Sequence, residues 1–77
     1  MDWRDRIVID PHVLVGKPII KGSRISVEHV IELMGRGYSV AEVVAQHPHI
    51  SEHDVQACLA YASYVLKSER VYPLLRV

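Results

Sequence analysis

Apolar residues change their spacing once along this chain. Up to about residue 21 they come in short runs: three consecutive β-formers inside RIVID at 6–10, then Ile19 and Ile20 between Pro18 and Gly22. Asp10-Pro11 closes the first run as a turn, because proline fixes φ and brings no amide to a ladder. The second run is too brief to hold a helical turn between its two breakers. Both read as short extended segments, paired with each other within about residues 6–21.

From Ser26 onward the period is helical. Val27, Val30, Ile31 and Met34 recur at three and four residues, Ser26 offers an acceptor to a free first-turn amide, and Gly35 with Gly37 ends the run. A first helix over about 27–36 follows. SVAE at 39–42 has the form of a capping box and predicts a second helix over about 40–46, which Pro48 stops by disfavouring helical backbone at His47. Ser51, with Glu52 and Asp54 in the next turn, opens a third helix over about 52–68 and leaves 69–77 as a carboxy-terminal tail. The pattern predicts one mainly α domain over 1–77, three helices after a short amino-terminal β-hairpin. The short second helix and the tight turn HPHI are compatible with helix-turn-helix packing.

Composition adds a need for company. A chain of 77 residues buries only about 60% of the surface its unfolded form exposes, yet 49% of these residues are hydrophobic. Surplus apolar surface on so small a domain is commonly covered by a second copy or another protein, so a homodimer is expected. Nine basic and nine acidic side chains cancel, which removes the overall positive field typical of nucleic-acid-binding domains and requires any such site to be local. A single cysteine, Cys58, excludes an internal disulfide framework. No export signal and no run of about 20 apolar residues stands out, so the expectation is a cytoplasmic protein away from membranes.

The densest local charge lies in GKPIIKGSRI at 16–25. A phosphate-binding P-loop needs its lysine directly after the second glycine, whereas Lys17 follows the first. Gly16, Pro18 and Gly22 instead suit a loop of fixed path, on which Lys17, Lys21 and Arg24 face water as a positive patch for phosphates or a partner's carboxylates. His47, His49 and His53 lie close to Cys58, but the cap at Ser51 separates His49 from His53, so turn and cap positions explain them more simply than a metal. Cys58 falls in the apolar stripe Val55, Cys58, Leu59, Ala62, Val65, Leu66 and reads as core. With no activated nucleophile, and with Glu28 and Glu32 on a solvated face, neither an enzyme nor a cofactor is expected.

The third helix carries a second apolar face, Ala57, Tyr61 and Tyr64, which is the candidate dimer or partner interface. Its narrow polar strip offers His53, Gln56 and Lys67 as candidate nucleic-acid or partner contacts. Glu52 and Asp54 oppose phosphates there, which favours a packing or dimer helix over a recognition helix.

RIVIDP at 6–11, GKPIIKGSRISV at 16–27 and ELMGRGYSVAEVVAQHPHISEHDVQACLAYA at 32–62 together resemble the domain-of-unknown-function family 433 (DUF433), a widespread prokaryotic group. The likeness covers about residues 7–64, with Ser23 where threonine is commoner. It implies a homeodomain-like helix-turn-helix fold, often dimeric, similar to the antitoxins of VapBC-type toxin-antitoxin systems and often encoded beside a small PIN-like nuclease. The function implied is a non-enzymatic antitoxin that neutralises a PIN-like ribonuclease toxin, with operator DNA as a further partner. The alternative is a dimeric protein-interaction module that binds no nucleic acid, which the apolar third helix and the tail VYPLLRV support.

Overall fold

A computed structural model of the chain describes residues 2–68. The tail at 69–77, used above in support of an interaction module, lies outside the described residues. Two strands, β1 (Ile7–Ile9) and β2 (Pro18–Ile20), pair antiparallel with Ile7 opposite Ile20, Val8 opposite Ile19 and Ile9 opposite Pro18. That register places Ile7 and Ile20 side by side in the core. Proline sits at the first residue of β2, where its missing amide costs the ladder least.

Three helices follow, α1 (Val27–Gly35), α2 (Val40–Gln46) and α3 (Glu52–Ser68). Each begins where a serine accepts from a backbone amide. Ser26 Oγ accepts from the His29 amide, and Ser39 and Glu42 close a complete capping box at 3.1 and 2.8 Å. Ser51 and Asp54 exchange the same pair of bonds at the start of α3. The end of α1 is a Schellman turn: Gly37 at φ +100° donates its amide to the Met34 carbonyl, and the Tyr38 amide reaches the Leu33 carbonyl. Arg36 is therefore the cap and not the last helical residue.

The core joins Ile7, Ile20 and Ile25 from the hairpin side with Val30, Leu33, Val43, Val55 and Cys58 from the helices and Ile50 from the α2–α3 turn. The third helix packs on α1, α2, β1 and a short 3-10 turn at Trp3–Asp5. The stripe expected along α3 is buried only at Val55 and Cys58; Leu59 is 41% and Leu66 65% exposed. Length accounts for the exposure of Leu66, since seventeen residues of α3 span roughly 26 Å and nine of α1 only roughly 14 Å. No helix among the described residues is long and apolar enough to cross a membrane.

Candidate functional site

Two surfaces carry the candidate residues. The first is an open groove of about 960 Å³ between the first half of α1 and the second half of α3. Ile31, Tyr61, Ala62, Val65 and Leu66 supply its apolar lining, and Lys17, Glu28 and Glu32 stand on its rim. Lys17 Nζ donates to Glu28 Oε1 at 2.8 Å. That hydrogen bond and the charge behind it raise the lysine's pKa and hold the Glu28 carboxyl below the usual carboxylate range. Lys17 is thus neutralised locally, and the expected three-cation patch loses a member to the groove side of the molecule.

The amino-terminal turn covers part of the apolar face of α3. The Trp3 ring meets Tyr61 edge-on at 4.9 Å and Tyr64 at 5.2 Å, while the Arg4 guanidinium lies 4.5 Å from the Trp3 ring centre. Tyr61 is left half-buried and Tyr64 47% exposed. Ala57, expected on the same interface, is fully buried in the chain's own core. The helical wheel places Ala57 on one side with the tyrosines, but Ala57 belongs to the buried core, against which Tyr61 packs only partly buried.

The second surface is a concavity of about 730 Å³ where the β2–α1 turn approaches the α2–α3 turn. Lys21, Arg24 and His49 line it together with Asp10, over an apolar floor that includes Val8 and Val13. The turn carrying the two cations is held from inside. Gly22 adopts φ +80°, Ser23 Oγ donates to the Ile20 carbonyl at 2.8 Å, and the Ile25 amide donates to Ser23 Oγ at 3.0 Å. Ser23 is therefore fully occupied by the turn.

His53 and Gln56 are exposed at the start of α3 and Lys67 is exposed at its end, roughly 21 Å along the axis from His53, so the polar strip is long and not one cluster. Glu52 lies beside it. Asp54 is drawn away: its carboxylate accepts from Arg6 Nη1 at 3.0 Å and from the Ser51 amide at 2.9 Å. Burial pushes the Asp54 pKa up, but the Ser51 and Arg6 hydrogen bonds and the arginine's charge together bring it below the ordinary value.

His47 is the cap of α2, with the rings of His29 and His49 at 5.3 and 6.4 Å. Among the described residues no group of three or more histidine, cysteine, aspartate or glutamate side chains is arranged to hold a metal ion. Cys58 is sealed in the core, where burial and the nearby Asp54 carboxylate push its thiol up to about 12. Sequence reasoning missed Trp3 and the place of His49. A lone tryptophan four residues before the first strand was the available signal for the former. Nothing in the local pattern signalled the latter.

The family model described as a protein of unknown function, DUF433, matches residues 7–62, from the first strand to the groove-lining turns of α3. The chain belongs to the DUF433 family. No curated protein and no solved structure matches it. The matched span of this DUF433 domain includes the whole cationic turn and stops short of Val65 and Leu66, so its end falls inside the groove.

Proposed function

We propose that this DUF433 protein is a non-enzymatic antitoxin that binds and neutralises a PIN-like ribonuclease, with operator DNA as a second partner. The observation that supports it best is the apolar groove between α1 and α3, which one chain leaves open although Leu66 on its wall is a large apolar group in water. Contiguous exposed apolar surface of this kind marks protein docking more often than catalysis. The Lys17–Glu28 pair at its rim supplies polar atoms that orient a partner without needing to be buried.

A second reading, a homodimeric interaction module without nucleic acid, draws on the zero net charge and on Glu52 in the first turn of α3. One experiment separates them. Co-purification with a PIN-like nuclease encoded next to this gene, followed by a ribonuclease assay, is expected to give a complex with suppressed cleavage. Leu66→Glu should abolish both while the melting temperature of the free chain holds. A nuclease left fully active and uncaptured, together with a dimer that Leu66→Glu converts to monomer, would replace the antitoxin reading with the second.

A further inference from the structure

We infer that the concavity between the β2–α1 and α2–α3 turns is a phosphate-binding site, with Lys21 and Arg24 as its charged donors and His49 as its facing wall. This does not depend on the proposed nuclease docking, which is assigned to the α1–α3 groove.

The argument begins with how this neutral chain distributes its charge. Of the described lysines and arginines, Arg4 is paired with Asp2, Arg6 with Asp54, Lys17 with Glu28 and Arg36 with Glu32. Lys21, Arg24 and Lys67 have no carboxylate within ion-pair distance among the described residues; Lys67 stands near the end of α3, whereas Lys21 and Arg24 line the same concavity. Local pairing therefore cancels four of the seven described cations and leaves two of the other three together here. Two unpaired cations at one depression act as a unit, because each lowers the cost of bringing an anion up to the other. An arginine fork beside a lysine point charge is also the pairing that suits a tetrahedral oxyanion with several acceptor atoms.

The backbone beneath them is preset. Gly22 at φ +80° makes the bend, and the two bonds of Ser23 Oγ lock residues 20–25 into one turn. A bound phosphate would thus not have to order the loop, only the two side chains. The amides of Gly22 and Arg24 take no acceptor among the described residues. His49 reaches the site from the other turn and offers ring nitrogens to it. The opposing charge is Asp10, whose Oδ1 accepts from the His12 amide at 2.9 Å. Two cations against one carboxylate keep the concavity positive, and Asp10 is then a brake on anion affinity.

The test is a titration of the full chain with inorganic phosphate at low ionic strength, followed by amide chemical shifts. Shifts should concentrate at residues 21–24 and at His49. Lys21→Ala with Arg24→Ala should weaken binding about ten-fold or more, as expected when charge-assisted bonds are lost. Asp10→Asn should tighten it, a gain that a merely architectural turn would not show. Arg36→Ala, whose guanidinium is already paired, serves as the control. A second arm uses a short DNA duplex. Shifts at the same residues, with a salt slope that flattens in the double variant, identify the phosphate source as a nucleic-acid backbone. Phosphate binding without duplex binding keeps the site and assigns it to a free phosphate-bearing molecule. Shifts scattered over the surface, or a folded double variant that binds phosphate as tightly as the parent, would overturn the inference.

Discussion

At His47, burial and two neighbouring imidazoles act in the same direction. Its Nε2 is buried without a hydrogen-bond partner among the described residues, and removal from water, then the charges of His29 and His49, hold its pKa below the ordinary histidine value. A folded pKa below the unfolded one, about 6.5, means that the unfolded chain binds more protons in between. The stability contributed by neutral His47 is therefore complete above about pH 6.5 and is lost as pH falls toward the folded pKa. Thermal melts at pH 7.5 and 5.5 should show a lower Tm at the acid value, and His47→Gln should narrow that gap. An unchanged gap would place the sensitivity elsewhere. A different residue-scale tension sits at Val15, a β-branched side chain at φ 57° and 96% exposed, next to Leu14 at φ 49°. Nothing packed on Val15 compensates for the left-handed backbone. Val15→Asn, a residue that tolerates this region, should raise stability by about 1 kcal/mol, measured by denaturant midpoint.

Helix α2 is seven residues long, well under the length at which an isolated helix persists in water. It stands because Val43 is fully buried against its neighbours and because the Ser39–Glu42 box satisfies two amides that would otherwise be orphaned. Ser39→Ala removes one acceptor and should cost about 0.5–2 kcal/mol in a denaturant titration. A loss too small to measure would mean that tertiary packing alone positions α2. The same reasoning applies to Ser51, whose bond to the Asp54 amide and Asp54's return bond start α3 in reciprocal fashion. Serine at 26, 39 and 51 was visible as a helix-start signal because a cap is made between residues three apart. For that reason the helix boundaries read from the chain agree with those observed to within a residue.

Across the whole molecule, the Arg6–Asp54 pair ties the start of the hairpin to the third helix over 48 positions of sequence. Asp54 is largely enclosed but the Arg6 side chain is 39% exposed, so water screens the pair and its worth is about 1 kcal/mol or less. Because the Asp54 pKa is lowered in the fold, the pair stabilises above the unfolded carboxylate value, about 3.9, and that contribution is lost as pH falls through the folded pKa. Arg6→Ala should therefore melt below the parent at pH 7, with the difference closing in acid. A difference that stays constant down to pH 2 would mean that Arg6 acts through its packed stem and not its charge.

Local order along the chain was enough to place the hairpin, the three helix starts and Cys58 in the core, because capping, turn chemistry and period depend on residues within a few positions of one another. Tertiary structure decided the rest. Periodicity shows which residues share a face, not what lies against it. Thus Ala57 was buried in the core, Tyr61 and Tyr64 were met by Trp3, and Leu59 and Leu66 were left in water on one and the same helix. Charge followed the same rule: Lys17 and Lys21 stand four apart at the two ends of β2, yet Lys17 ends on Glu28 at the groove while Lys21 joins Arg24 and His49. Which cations remain unpaired depends on distances between segments far apart in sequence, and only the folded packing of those segments sets them.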